Sequence, residues 1–186
     1  AGKSTTLKIL AGLLSPSCGE VFIDSINWIE NPDAFRAKIG FLPEEPPLYK
    51  EMTVREFLQF TAALRKYPKQ LTAQRIVDVI QICQLEDRID QIIGELSLGY
   101  RKRVGIAQAI IHKPALVILD EPTSGLDPHQ MVELRRVIKS LSLEATVLLS
   151  SHNLTEVAET CDRLLILNQG ALIASGDRDS LSQQIS

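Results

Sequence analysis

Cysteine is sparse in this sequence. Cys18, Cys83 and Cys161 lie far apart, are odd in number and include no C-x-x-C pair. Such a set argues against a disulfide framework or a thiolate metal site and makes a reducing cytosol the default. An excess of one charge is also lacking: 20 Lys and Arg against 23 Asp and Glu leave a formal net charge of -3. That slight acidity gives no support to a nucleic-acid surface, so no nucleic-acid partner is expected. The one basic cluster, Arg101-Lys102-Arg103, reads better as a solvated helix face than as a phosphate-backbone patch. No apolar run approaches the ~20 residues needed to cross a bilayer, and no signal-peptide pattern is present. What remains is the composition of an ordinary globular protein of 186 residues, a length that fits one domain with a real core.

The stretch Leu96–Pro128, LSLGYRKRVGIAQAIIHKPALVILDEPTSGLDP, organises the rest. It holds a turn, a basic amphipathic helix, a strand with no polar residue in its middle and an acidic turn. The continuous apolar run Leu116–Leu119 reads as a central parallel strand covered by helices on both faces. Ligands of open α/β sheets sit at the carboxyl ends of such strands, which is where Asp120 and Glu121 fall. Taken alone, Asp-Glu-Pro could simply end the strand in a polar turn.

The start of the chain decides between these. Gly2-Lys3-Ser4-Thr5 is the tail of G-x-x-x-x-G-K-[ST], the phosphate-binding loop, and it opens an amphipathic helix through Leu7, Leu10, Ala11 and Leu14. In that loop backbone N–H groups and a helix N-terminus cradle phosphates, the lysine reaches the β and γ phosphates, and the serine hydroxyl holds Mg2+. A loop of this kind paired with a later apolar strand ending in Asp-Glu specifies nucleoside triphosphate binding, with Asp120 on the magnesium side. The first glycine of the pattern would fall before Ala1.

With these residues in view the chain resembles the ATP-binding cassette (ABC) ATPases over essentially its whole length. Leu96–Tyr100 (LSLGY) is similar to that family's signature, LSGGQ; Leu116–Pro122 (LVILDEP) to its Walker B strand with the catalytic glutamate; Ser124–Pro128 (SGLDP) to its D-loop; and Ser150–His152 (SSH) to its switch histidine. Leu98 and Tyr100 depart from the Gly and Gln of the consensus. The form LSxGY followed by R-x-R-V-G resembles exporter-type members, including drug-efflux and gliding-motility relatives.

Along the chain, 15–19 reads as a turn, Glu20–Asp24 as a strand, Phe35–Ala37 as one helical turn and Ile39–Leu42 as a short strand running into a Pro- and Glu-rich loop. A capping box, Thr53 with Glu56, opens a helix that Tyr67-Pro68-Lys69 breaks; a second helix is expected from near Thr72, with Ile76, Val79, Ile80 and Cys83 on one face. Pro128–Leu141 reads as an amphipathic helix, Thr146–Leu149 as a second apolar strand, Asn153 and Glu156 as the caps of a short helix, and Leu164–Leu167 with Ala171–Ala174 as a hairpin. The tail after Gly176 is polar, with one more helix as an expectation.

The resemblance implies an α/β fold, a P-loop NTPase of ABC type: a mostly parallel core sheet flanked by helices plus a helical subdomain. It divides the chain into a RecA-like core (1–52 and 101–176), a helical subdomain bearing the signature (53–100) and the start of a C-terminal tail (177–186). It implies ATP and Mg2+ as cofactors. Gly2, Lys3, Ser4 and Thr5 would bind phosphate; Ser4 and Asp120, the latter through water, would hold Mg2+. Glu44 stands where the family carries a glutamine; a carboxylate can ligate Mg2+ but donates no hydrogen bond to water unless protonated. A surface-loop carboxylate is the plain alternative there. Glu121 would be the general base and His152 the γ-phosphate contact. Ser97, Gly99 and Asp127 would act across a homodimer or a pair of paralogous ATPase subunits, although Ser97 and Gly99 could locally do no more than cap a helix. A membrane-spanning permease partner and a cytoplasmic position, peripheral on the inner face of the cell membrane, follow from the same likeness. A non-transport ABC ATPase and a non-hydrolysing regulatory cassette are the rivals. The strand that precedes the phosphate loop in the family would lie upstream of Ala1. Residues 1–186 alone are therefore expected to bind ATP poorly and to aggregate, with the strands Leu116–Leu119 and Thr146–Leu149 missing a neighbour.

Overall fold

A computed structural model describes residues 2–177; the expected tail helix lies outside them. Gly2, in a left-handed conformation (φ 93°), precedes the first helix, α1 (Lys3–Leu10). A hairpin of two short strands follows, β1 (Phe22–Ile23) and β2 (Ile26–Asn27). The strand expected over Glu20–Asp24 is present but shorter, because the chain reverses at Asp24 and Ser25, both at positive φ (46° and 66°), into a second arm that the sequence reading did not include. Helix α2 (Pro32–Ala37) begins behind Asn31, whose side chain accepts from the Ala34 N–H, and leads into β3 (Ile39–Leu42).

The capping box forms as expected. The Thr53 side chain accepts from the Glu56 N–H, the Glu56 carboxylate accepts from the Thr53 N–H at 2.8 Å, and α3 (Val54–Leu64) follows. Helix α4 (Lys69–Cys83) starts at Lys69, directly behind Pro68 and a few residues earlier than the apolar spacing suggested. Proline tolerates the first turn of a helix, so it marks this start as well as the previous stop. The remaining elements are α5 (Leu98–Ile110), β4 (Leu116–Leu119), α6 (Pro128–Leu141), β5 (Thr146–Leu149), α7 (Leu154–Thr160) and the antiparallel pair β6 (Leu164–Asn168) and β7 (Ala171–Gly176).

The central sheet is parallel, ordered β3-β4-β5, with Leu42 beside Leu119 and Leu119 beside Leu149. Strand β4 is thus paired on both sides, which corrects the expectation that Leu116–Leu119 would miss a neighbour. β5 pairs only with β4 among the described residues, and its Val147, Leu148 and Leu149 are half-buried. Successive side chains of β4 feed opposite layers, as the two-residue period of a strand requires. Val117 and Leu119 join the larger core, with Leu58, Val79, Val104, Ile106 and Val137; Ile118 joins a smaller one with Leu7, Phe35 and Ile39. Each such fully buried side chain contributes about 2 kcal/mol of apolar burial.

Gly40 lets α5 lie directly on β3: a Cβ there would come within 2.2 Å of the Ala109 carbonyl oxygen. One turn earlier on α5, a Cβ on Gly105 would lie 2.6 Å from Leu42 Cδ1.

The basic triplet also departs from its reading. Lys102 and Arg103 are buried, 2% and 5% exposed, and form no solvated face. Arg103 reaches the Gln84 carbonyl at 3.3 Å and pairs with Glu133 on α6, while Lys102 points into the molecule. Burying such heads is tolerable only with polar partners, and those partners sit in distant segments of the chain.

Candidate active site

The register of the parallel sheet brings Asp120, just after β4, beside Ser150, just after β5. Ser150 Oγ donates to Asp120 Oδ1 at 2.6 Å and accepts from the Glu121 N–H at 3.0 Å. Asp120 is buried, and Ser4, one residue into α1, places its hydroxyl 3.5 Å from the same Oδ1. Glu121 adopts a positive φ of 47°, which costs a non-glycine residue roughly 1–2 kcal/mol. Its carboxylate lies between two cation-capable groups: Oε2 is 2.8 Å from His152 Nδ1 and Oε1 is 3.7 Å from Lys3 Nζ. Lys3 also donates to the Ser151 carbonyl at 2.9 Å. Lys3, Ser4, Asp120, Glu121 and His152, drawn from three distant segments, therefore meet at one edge of the sheet.

The amino end of α1 suits an anion. It has no side-chain cap and no acidic residue in its first turn, and Lys3 stands at its mouth. Uncapped first-turn N–H groups and the positive end of a helix favour phosphate. Thr5 is exposed on that turn, and Gly2 supplies its carbonyl to the Thr6 hydroxyl at 2.9 Å. The residues also fit Mg2+. The Ser4 hydroxyl and the Asp120 carboxylate are hard oxygen donors converging on one point, the sparse donor set this ion takes when phosphate completes its shell.

Glu44 sits in the exposed loop after β3, and its Oε1 accepts from the Ser124 hydroxyl at 3.1 Å. Among the described residues no hydrogen bond joins its carboxylate to Ser4 or Asp120. The other expected residues form a second group. Ser97 caps α5, accepting from the Tyr100 N–H at 3.5 Å, and Asp127 caps α6, accepting from the Gln130 N–H at 2.9 Å. A Cβ on Gly99 would meet the Gln130 side chain at 3.1 Å, so the two helix starts pack on each other. Among the described residues no hydrogen bond links this group to Lys3, Ser4 or Glu121. Tyr100 is flanked by two guanidinium groups, Arg88 at 5.0 Å and Arg103 at 5.1 Å from its ring centre.

The family model for the ABC transporter matches residues 1–124. The chain belongs to the ABC transporter ATP-binding family. It is 37% identical over 186 residues to the bacitracin transport ATP-binding protein BcrA of Bacillus licheniformis, covering 99% of this chain and 60% of that protein. The chain thus spans about three fifths of that relative's length. Two solved structures are similar throughout. One, the ATP binding subunit of an ABC transporter, superposes with a TM-score of 0.83 at 32% identity, covering 99% of this chain and 77% of that one. The other, cbiO1 from Clostridium perfringens, part of the ABC transporter complex cbiONQ, gives 0.88 at 27% identity over 99% and 76%. Together they show the ABC form of the P-loop NTPase fold, an α/β architecture around a mostly parallel sheet. Among the described residues no helix is long and apolar enough to cross a membrane.

Against that ABC framework, two residues at the site carry roles that motif reading left out. Ser150 belongs to the SSH motif, yet its double contact follows from the β4–β5 register and not from its neighbours in sequence. Lys102 belongs to the basic triplet; its ammonium donates to the backbone carbonyls of Glu44 and of Glu121, the latter at 3.4 Å. Burial pushes the Lys102 ammonium below the usual lysine range, against the opposing pull of Glu44, Glu45, Glu121 and Asp120. A lysine three residues past a glycine in the first turn of a capped helix was the available signal.

Proposed function

We propose that this chain is an ATP-binding and ATP-hydrolysing subunit that powers an ABC membrane transporter of exporter type. The observation that carries the reading is the Glu121 carboxylate, held beside His152 and Lys3 and next to the Ser4–Asp120 pair. A carboxylate on a rigid backbone, at the mouth of a phosphate-binding helix end, is a general base positioned for water. In this reading Gly2, Lys3, Ser4 and Thr5 bind the β and γ phosphates of ATP. Ser4 and Asp120 hold Mg2+, with Glu44 as a further oxygen donor from its loop. When bound, the ion neutralises negative charge on the phosphate oxygens. Glu121 takes the proton of the attacking water, and His152 orients the γ-phosphate.

Ser97, Gly99 and Asp127 serve the nucleotide of a second subunit, identical or paralogous. Their separation from Lys3 and Glu121 within one chain supports a head-to-tail pair. The helical segment 53–100 forms a subdomain against the core of 1–52 and 101–176, and it faces a membrane-spanning permease. The protein then sits in the cytoplasm, peripheral on the inner face of the membrane. Similarity to a protein named for bacitracin transport supports the exporter reading.

The test is Glu121→Gln in the full-length chain. ATP binding should persist while turnover falls by about 100-fold or more. Turnover near the parental rate would remove Glu121 from the role of base.

A further inference from the structure

Glu121 is held in its left-handed conformation from both sides. Its N–H is bound by Ser150 Oγ at 3.0 Å, and its carbonyl accepts from Lys102 Nζ at 3.4 Å. The same ammonium donates to the Glu44 carbonyl. Lys102 is 2% exposed and makes no ion pair within 4.0 Å among the described residues, although four carboxylates surround it. A lysine buried on neutral carbonyls carries a desolvation cost that a hydrophobic residue of similar length would avoid. Two of its three donors are used on peptide groups flanking the candidate site.

We propose that Lys102 is a positioning residue for hydrolysis, a buried clamp that fixes the Glu121 peptide and ties the Glu44 loop to it; this rests on the reading of Glu121 as general base. Lys102 lies one turn beyond Gly99 on α5, so the helix that begins at Ser97 also supports the base of its own chain. Through one side chain, the start of α5, the loop after β3 and the turn after β4 share a common anchor. Losing the ammonium frees the Glu121 carbonyl and lets a strained peptide relax toward an ordinary backbone conformation. The carboxylate then leaves the line between Lys3 and His152, while the phosphate-binding end of α1 is untouched.

The experiment compares Lys102→Met, Lys102→Gln, Glu121→Gln and the double variant Lys102→Met/Glu121→Gln in the full-length chain with its partner subunits. Lys102→Met should lower kcat by about 10-fold or more and leave the KM for ATP within about 2-fold, since the phosphate-binding Lys3 and Ser4 share no hydrogen bond with Lys102 among the described residues. In the Glu121→Gln background the same substitution should change the residual rate by less than about 2-fold, because positioning acts only through the carboxylate. A further full loss in the double variant means that Lys102 acts independently of Glu121 and overturns the proposal, as does a folded Lys102→Met or Lys102→Gln protein with parental kcat. If Lys102→Met does not fold, Lys102→Gln carries the same kcat and KM criteria. Failure of both to fold assigns the side chain to stability alone. Normal turnover in Glu121→Gln instead removes the reading of the base, an outcome distinct from slow Glu121→Gln with normal Lys102→Met.

Discussion

The two faces of the central sheet are built to different standards. On one face, helices α3, α4, α5 and α6 close over β4 with side chains that are wholly excluded from solvent, among them Val54, Leu58, Val79, Val104 and Val137. On the other, Leu7, Phe35 and Ile39 gather round Ile118, while Leu10, Val21 and Leu148 pack only partly buried against them. Of the groups that meet phosphate in the proposed function, Lys3 and Ser4 stand on α1, which gives Leu7 to the thinner side, and His152 is 76% exposed. Dense packing fixes position, whereas a half-open corner leaves N–H groups and side chains available to a ligand. The comparison teaches a division of labour: one side holds the strand that carries Asp120 and Glu121, and the other leaves room for what those residues act on.

The largest effect that could break this contrast is a pair of truncations. Leu58→Ala, in the dense layer, should cost about 3 kcal/mol, whereas Leu148→Ala on the half-buried β5 should cost about 1 kcal/mol. Chemical denaturation of both variants would read the difference, and equal losses would mean that the two faces are equally packed. A smaller effect concerns the signature group. Ser97→Arg places a bulky cation at the start of α5, where the proposed pairing needs an anion-binding helix end. Turnover should fall by about 10-fold or more while nucleotide binding to the single chain persists. Loss of binding in the single chain would show that Ser97 works within its own chain.

The smallest expected effect is a pH dependence from the sheet's opposite end. His112 is half-buried, with Nε2 at 3.1 Å from the Ile39 carbonyl. Burial and, secondarily, the charge of Arg65 lower its pKa from 6.5 to about 4. The unfolded chain therefore takes up a proton, as pH falls from about 6.5 toward about 4, that the folded chain refuses. Stability present above that window is lost within it. Near pH ~5 the loss should be on the order of 1 kcal/mol, allowing for partial exposure. His112→Gln should flatten that part of the acid-stability curve, and an unchanged curve would remove His112 as its source.

Much of the fold was legible because its signals are local. The apolar run Leu116–Leu119, the Thr53–Glu56 capping box and the stripe Leu134, Ile138 and Leu141 each declare their element within a few residues, and each element is present. The candidate site was legible as motifs, and the sheet register brings Lys3, Ser4, Asp120, Glu121 and His152 together. What was not legible depends on partners far along the chain or on backbone that side chains do not advertise. The apolar alternation of Glu20–Asp24 is the same for a strand and for a hairpin arm, and only the positive φ of Asp24 and Ser25 separates them. Lys102 and Arg103 read as solvent-facing because charge is normally exposed. Their acceptors, Glu44, Glu121 and Glu133, lie between 19 and 58 residues away. Glu44 shows the converse: a motif position whose carboxylate is turned toward Ser124.

The bare contact between β3 and α5 has a mechanical consequence. At Gly40 and again at Gly105 no side chain of the glycine cushions the strand against the helix, and these touching points sit about one helical turn, some 6 Å, apart along α5. Two close contacts spaced along a rod resist its rolling and pivoting, so α5 and β3 should behave as a splint that moves as one body. At Gly40 the helix backbone itself meets the strand, and at Gly105 it rests on the Leu42 and Pro46 side chains, so a displacement of α5 should carry the loop after Leu42 with it. Native-state hydrogen exchange would measure this stiffness: amides of 104–110 and 39–42 should open together, with one free energy, and separate openings would show a joint where the splint is expected.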